Sequence, residues 1–276
     1  MLRDRARSAA LLVPVVLVLV WLGEAWLVGA TAIAVAVAGR EAFRLLEAAG
    51  HPAFPALGIV VALVVALADS ITILPGGAGL LLAAIGVVLV AAAALTRSDP
   101  RDGLASFATT VFGALYVGLL GFVPRLAAQG PDLGEGAALG SLGPERAWIL
   151  LLFLGVWAFD TGAYAAGRRF GRRLFMTHIS PRKTVEGVIG GTITVTIVSA
   201  IIVAGLGHAW PLGALLGPLI GAAAQIGDLA ESMLKRAAGV KDSGTLIPGH
   251  GGLLDRVDSF LFAAPVVLLY VLVAFR

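Results

Sequence analysis

Three carboxylates towards the end of the chain have the type and spacing of a metal-binding or catalytic group. Asp255 and Asp258 are three residues apart, so on a helix they share one face. Asp228 lies near the end of an earlier apolar run. Carboxylates at the edge of hydrocarbon are costly and usually have a partner or a function. The alternative is that Asp255 and Asp258 only begin a helix at the interface, where the helix dipole favours acids.

The residue types narrow the choice of metal. Asp side chains that converge from different helices, with few His and no Cys in the chain, suit a hard cation that prefers oxygen ligands. Mg²⁺ is the leading candidate, because proteins hold it by one or two carboxylates and substrate phosphates complete its coordination.

Basic residues lie among these acids, and two glycine-containing turns lie beside them. The bases are Lys183, Lys235, Arg236, Lys241 and Arg256. The stretch SPRKTVEG (180–187) can present backbone N–H groups and a lysine to a phosphate. The stretch SGTLIPGHGG (243–252) contains four glycines, which indicates unusual backbone angles or close approach to a ligand. His250 within it either donates to a phosphate or caps the turn. Acids and bases together fit phosphate chemistry on a lipid, or an ion or proton path in a transporter.

The composition places these residues in a membrane protein. The chain of 276 residues is 59% hydrophobic and 13% charged, with a mean hydropathy of +0.96, whereas soluble domains carry roughly 25% charged residues. The absence of cysteine excludes disulfides, thiolate catalysis and Cys-ligated zinc.

The hydropathy pattern predicts an all-α integral membrane protein with about nine transmembrane helices. The segments are 9–22, 24–39, 53–70, 79–95, 104–123, 147–166, 185–206, 211–231 and 259–275. A cleaved signal peptide over residues 1–30 is the rival interpretation of the first segment. With the N-terminus cytoplasmic, all Lys and Arg except Arg125, Arg146 and Arg276 lie on the cytoplasmic side.

The chain divides into two predicted regions. Residues 1–145 form an N-terminal region of about five spans, with an amphipathic interfacial helix near 40–50. Residues 146–276 form a C-terminal catalytic region of about four spans and cytoplasmic loops. The longest outside loop, 125–146, is predicted to be flexible. The arginines of 168–173 are interpreted as contacts to anionic lipid headgroups.

The stretch SMLKRAAGVKDSGTLIPGHGGLLDRVD (232–258) resembles the signature of the phosphatidate cytidylyltransferases, also called CDP-diacylglycerol synthases. FDTGAYAAGRRFGRR (159–173) and SPRKTVEGVIGG (180–191) resemble two further blocks of that family, in the same order. The resemblance is specific over roughly 157–260.

The resemblance implies a reaction in which CTP and phosphatidic acid give CDP-diacylglycerol and pyrophosphate. It also implies a requirement for Mg²⁺ with K⁺ proposed beside it, a homodimer, and an inner-membrane location with the active site facing the cytoplasm. Asp228, Asp255 and Asp258 would bind metal and, with Lys235, form the catalytic group. The expected substrate-binding residues are Ser180, Lys183, Thr184, Glu186, Arg236, Lys241, Asp242, His250 and Arg256.

Two other functions are compatible with charge at a membrane face. A transporter of an anionic solute predicts polar residues spread across the membrane depth, whereas the second, fourth and fifth spans contain almost no ionisable groups. A CTP-dependent lipid-alcohol kinase needs an activated hydroxyl. The expected partners are CTP, phosphatidic acid and the bilayer, and no nucleic acid.

Overall fold

The computed structural model describes residues 13–70, 78–246 and 251–275. Within these ranges the regular elements are helices, and Leu174 and Thr184 form an isolated antiparallel bridge. The helices are α1 (Val13–Leu22), α2 (Glu24–Ala48), α3 (Pro55–Leu67), α4 (Ala78–Ala94), α5 (Pro100–Gly118), α6 (Phe122–Gln129), α7 (Pro144–Phe170), α8 (Val185–Gly205), α9 (Trp210–Ala237) and α10 (Leu254–Ala274).

The described helices coincide with the predicted apolar segments and indicate an integral membrane protein. Among the described residues, six helical segments are long and apolar enough to cross a bilayer. They are α2, the α5–α6 segment Pro100–Gln129, and α7 to α10. Helices α1, α3 and α4 are apolar but have only 10–17 residues. The all-helical class is therefore confirmed, while the number of nine spans and the orientation stay predictions.

Two stretches differ in detail from the sequence pattern. Residues 40–48, for which the pattern predicts an amphipathic helix, continue α2 without a break. The outside loop predicted over 125–146 begins with α6. Further along that loop, the amides of Gly134 and Leu139 each donate to carbonyls at the end of α8 over 2.9 Å. These backbone bonds hold a loop that the sequence predicts to be flexible.

The described residues group into two units. The first comes from Met1–Pro124 and Met233–Val257, and the second from Arg125–Ser232 and Asp258–Arg276. Helix α9 passes from the second unit to the first after Ser232, and α10 returns to the second after Val257. The division at residues 145 and 146 inferred from the sequence stays a prediction.

In the first unit, Phe43 fixes the position of the last turns of α2. Its ring is 1% exposed and lies against Gly58 of α3 and Gly113 of α5. A Cβ atom at Gly113 would come within 2.6 Å of this ring, so the small residues leave the space that Phe43 fills. Tight packing of this kind restricts movement.

In the second unit, α7 and α8 approach closely through small residues. Gly191 of α8 lies against the carbonyl of Phe159, where an added Cβ would be 2.8 Å from the oxygen. Gly190 likewise faces Ala166, and Gly162 faces Thr194. Small residues at helix interfaces allow such close packing in membranes. The packing sets the end of α7 beside the start of α8, where polar side chains collect.

Candidate active site

In the first unit, Asp255 and Lys235 form a buried ion pair. Nζ of Lys235 lies 2.6 Å from Oδ1 of Asp255, and the two side chains are 11% and 5% exposed. Oδ2 of Asp255 accepts hydrogen bonds from the amide and hydroxyl of Ser243 and from the amide of Gly252, each at 2.8 Å. Both carboxylate oxygens are therefore engaged by protein donors, as a buried charge requires.

Glu41 is a second buried carboxylate beside this pair, and the sequence analysis did not select it. Its side chain accepts from the amides of Leu253 and Leu254 at 3.1 and 2.7 Å, and its Oε2 lies 3.3 Å from the hydroxyl oxygen of Ser243. A signal was present in the sequence. Glu41 falls on the apolar face of its helix, whereas Arg40, Arg44 and Glu47 fall on the exposed face.

In the second unit, Lys183 and Asp228 form an ion pair at a pocket of about 460 Å³. Their side chains are 22% and 34% exposed, so the pair is accessible to water. Ser232 donates to Oδ1 of Asp228 at 3.3 Å, one helical turn further along α9. The lining of the pocket combines apolar and charged residues. It consists of Phe159, Asp160, Ala163, Tyr164, Gly167, Arg168, Arg182, Lys183, Thr184, Gly187, Val188, Gln225 and Asp228.

The turn before α8 is held by its own polar side chains. Thr184 is the N-cap of α8 and accepts from the amide of Gly187 at 3.1 Å. Glu186 accepts from the amides of Arg172 and Arg173 at 3.0 and 3.2 Å. Ser180 is half-buried, and its backbone carbonyl accepts a hydrogen bond from the amide of Lys183 at 3.3 Å. Of these residues, Lys183 and Thr184 line the pocket, and Glu186 ties the arginine-containing turn to α8.

Asp258 lies at the close contact of α9 and α10 in the second unit. Its side chain accepts from the amide of Ser259 at 2.6 Å. Its backbone carbonyl lies against Gly227, where any Cβ atom would collide with it. Gly227 is the neighbour of Asp228 in the chain. The contact therefore brings the backbone next to Asp228 beside the backbone of Asp258.

The remaining predicted residues lie on the surface or outside the described residues. Arg236, Lys241, Asp242 and Arg256 are exposed, and Nη1 of Arg236 donates to the carbonyl of Val240 at 3.1 Å. His250 lies outside the described residues.

Comparisons with known proteins identify the family of this chain. The model of the cytidylyltransferase family matches residues 3–274. The chain belongs to this family. A phosphatidate cytidylyltransferase of Synechocystis sp. is 35% identical over 97% of this chain and 96% of its own length.

Two further relatives carry the same name. One from Mycobacterium bovis is 34% identical over 90% of this chain and 80% of its own length. A chloroplastic one from Arabidopsis thaliana is 34% identical over 88% of this chain, which spans 65% of the longer plant protein. These are similarities to named enzymes, and they span nearly the whole of this cytidylyltransferase-family chain.

The carboxylates of this family member bear on whether the site suits Mg²⁺. Among the described residues, no group of three or more His, Cys, Asp or Glu side chains is arranged to hold a metal ion. Asp160 and Asp228, however, both line the second-unit pocket. Two carboxylates with substrate phosphates are a usual environment for Mg²⁺, so the pocket fits that ion. The oxygens of Asp255 accept from Lys235, Ser243 and Gly252, and those of Asp228 contact Lys183 and Ser232.

Several polar pocket residues are not among those predicted from the sequence: Asp160, Gln225, Arg168 and Arg182. Asp160 lies inside an apolar run, and an ionisable residue in that position is itself a signal of function. Gln225 is 7% exposed, and its Nε2 has no hydrogen-bond partner among the described residues. Nothing in the sequence distinguishes Gln225 from a polar residue packed between helices, because its selection depends on knowing that it lines the pocket.

Proposed function

We propose that this protein is a phosphatidate cytidylyltransferase, which transfers the cytidylyl group of CTP to phosphatidic acid and releases pyrophosphate. The observation that carries the proposal is the pocket of the second unit, in a chain of the cytidylyltransferase family. There Lys183, Arg168 and Arg182 accompany Asp160 and Asp228. A pocket lined by both cationic and apolar residues suits an anionic group attached to a lipid or a nucleoside.

The reaction needs little proton transfer. A phosphate oxygen of phosphatidic acid, already an anion at neutral pH, forms the new bond to the α-phosphorus of CTP. The bond from that phosphorus to the oxygen bridging to the β-phosphate breaks, and its electron pair leaves with pyrophosphate. The obstacles are repulsion between two polyanions and charge on the leaving group. Positioning and electrostatic stabilisation therefore matter more than general base catalysis.

The basic residues of the chain are suited to these two tasks. Lys183, Arg168 and Arg182 line the pocket and would hold phosphate oxygens. Lys241, Arg236 and Arg256 are exposed on the signature stretch and are proposed to contact the triphosphate. Cations held beside the reacting phosphates stabilise the negative charge that develops on the leaving group.

We assign Mg²⁺ binding to carboxylates of the second unit, with Asp228 and Asp160 in the pocket and Asp258 beside Gly227. A divalent ion supplies charge neutralisation and orientation of phosphate oxygens. Asp255 is retained as a proposed member of the catalytic group together with Lys235. A K⁺ ion beside Mg²⁺ is part of the same proposal.

One assay separates this function from its rivals. Purified protein is given CTP labelled at the α-phosphate together with phosphatidic acid or a lipid alcohol. We expect pyrophosphate release and labelled CDP-diacylglycerol only with phosphatidic acid and Mg²⁺. Formation of labelled CDP together with an unlabelled phosphorylated alcohol would indicate a lipid kinase that transfers the γ-phosphate. No reaction with either lipid, together with uptake of an anion into vesicles, would favour a transporter.

We further propose nine spans, a cytoplasmic N-terminus and an inner-membrane location with the polar stretches facing the cytoplasm. Because the chain lacks cysteine, single cysteines report topology without background. A cysteine at Arg173 should react with a membrane-impermeant maleimide only in inverted vesicles, and one at Glu135 only in intact cells. Reaction of both from the same side would contradict the arrangement.

A homodimer is also proposed, and light scattering of the detergent-purified protein would test it.

A further inference from the structure

Glu41 is a charged residue in the interior of the first unit, separated in sequence by about two hundred residues from the groups it contacts. It is 6% exposed. A buried carboxylate is tolerated only when donors surround it. Phe43, packed between Gly58 and Gly113, holds this part of α2 in place. The carboxylate of Glu41 is thus presented from a fixed helix.

The donors that surround Glu41 belong to the start of α10. The amides of Leu253 and Leu254 donate to its two oxygens, and α10 begins at Leu254. The first amides of a helix have no partner within the helix, and a negative charge at that end is stabilised by the helix dipole. Glu41 therefore acts as an N-terminal cap supplied by a distant helix.

The same carboxylate is linked to Asp255 through one hydroxyl group. Ser243 Oγ lies 3.3 Å from Oε2 of Glu41 and 2.8 Å from Oδ2 of Asp255. A hydroxyl has a single proton to donate, and the shorter contact is to Asp255. Glu41 thus binds the amides of Leu253 and Leu254, while Asp255 accepts the hydroxyl proton of Ser243.

Two glycines of the signature stretch make this contact possible. A Cβ atom at Gly244 would lie 2.6 Å from Oε1 of Glu41, and one at Gly252 would lie 2.5 Å from Oε2. The sequence pattern indicates unusual backbone angles or close approach to a ligand for this glycine-rich stretch. At these two positions the group that approaches closely is the carboxylate of Glu41.

We propose that Glu41 is a positioning residue for the cytidylyltransferase reaction. It fixes the backbone at Leu253 and Leu254 and the position of Ser243, and through them Asp255 and the nearby Lys241. The inference rests on the proposed function, because the groups that it positions are those assigned to the triphosphate and to catalysis. Glu41 itself is not assigned a contact with substrate.

The test compares Glu41→Gln with Glu47→Gln, which makes the same change on the exposed face of the same helix. Loss of correctly folded protein lowers the apparent kcat but leaves the KM for CTP unchanged. We expect Glu41→Gln to raise the KM for CTP and to lower kcat, together about 10-fold to 100-fold in kcat/KM, as for other residues that orient a reactive group. Glu47→Gln should match the wild type.

A second variant and a second measurement cover the case in which Glu41→Gln folds poorly. Gly244→Ala keeps the side chain of Glu41, but the added Cβ atom pushes its carboxylate away from the loop. This variant should raise the KM for CTP in the same way. Hydrogen exchange of the peptide that contains Leu253 and Leu254 should be faster in Glu41→Gln than in Glu47→Gln. Wild-type KM in both Glu41→Gln and Gly244→Ala would overturn the proposal. An inactive wild-type protein would overturn the proposed function, and hydrogen exchange would still test the contact made by Glu41.

Discussion

The ammonium group of Lys235 lies 2.6 Å from Oδ1 of Asp255, and both side chains are buried. Lys235 lies near the end of α9, and Asp255 lies in the first turn of α10. The pair therefore joins the two helices at the signature stretch. Because the other oxygen of Asp255 accepts from Ser243 and Gly252, this carboxylate has a structural task whatever its part in catalysis.

We predict that Lys235→Met lowers the thermal unfolding temperature in detergent. The substitution keeps the side-chain length but leaves the Asp255 charge buried without its cation, and breaking such a pair costs about 3–5 kcal/mol. Lys241→Met, at an exposed position, is the control and should unfold like the wild type. Adding Asp255→Asn to Lys235→Met should recover part of the loss, because the uncompensated charge is removed. Unfolding of Lys235→Met at the wild-type temperature would show that the pair does not form.

A second prediction separates the carboxylates by their surroundings. Asp228→Asn and Asp258→Asn should leave the unfolding temperature nearly unchanged, because the Asp228 side chain is one third exposed and an Asn oxygen at 258 can still accept from Ser259. Both should abolish Mg²⁺-dependent pyrophosphate release, and EDTA should do the same to the wild type until Mg²⁺ is restored. Asp255→Asn should lose stability as well as activity. Normal turnover in Asp228→Asn and Asp258→Asn would refute their assignment as metal ligands.

The sequence is informative about the helices and about the chemistry of the site, for a physical reason. Apolar runs of about 20 residues have few alternatives in a bilayer, so the described helices coincide with the predicted segments. Residues 9–12 of the first predicted segment lie outside the described residues. The pairing of Lys183 with Asp228 and of Lys235 with Asp255 was not predictable from spacing. It depends on which helices pack together, and the sequence pattern of a single helix does not contain that information.

Glu41 and Asp160 show where sequence reasoning fell short. Glu41 was assigned to a surface helix because it stands among Arg40, Arg44 and Glu47, although its position falls on the apolar face. Asp160 lies in the block FDTGAYAAGRRFGRR beside four arginines and is not among the predicted site residues. In both cases a single acid in an apolar setting is a weaker sequence signal than the clusters of charged residues near it. The burial of one and the pocket position of the other become visible only in three dimensions.

A third prediction concerns the space beside Glu41. Gly252→Ala introduces a Cβ atom 2.5 Å from Oε2 of Glu41 and into contact with the Ser243 hydroxyl. Overpacking of this kind costs about 1–3 kcal/mol, and we expect a lower unfolding temperature with reduced activity. Gly29→Ala is the matched control, because that glycine lies in α2 with no neighbouring atom within 4 Å of the added carbon. Equal unfolding temperatures for the two variants would show that the loop does not approach Glu41.

The last prediction assigns a function to Asp160. This residue lines the same pocket as Asp228, Lys183 and Arg182, and two carboxylates with substrate phosphates suffice for Mg²⁺. Asp160→Asn should therefore raise the Mg²⁺ concentration that gives half-maximal pyrophosphate release, with no loss of thermal stability. Glu145→Gln removes a charge from an exposed position of the same helix and should leave the Mg²⁺ requirement unchanged. An identical Mg²⁺ requirement in both variants would restrict the metal site to Asp228 and Asp258. A higher requirement in Asp160→Asn alone would place a metal-binding carboxylate on α7, in addition to the three carboxylates that the sequence predicts to bind metal.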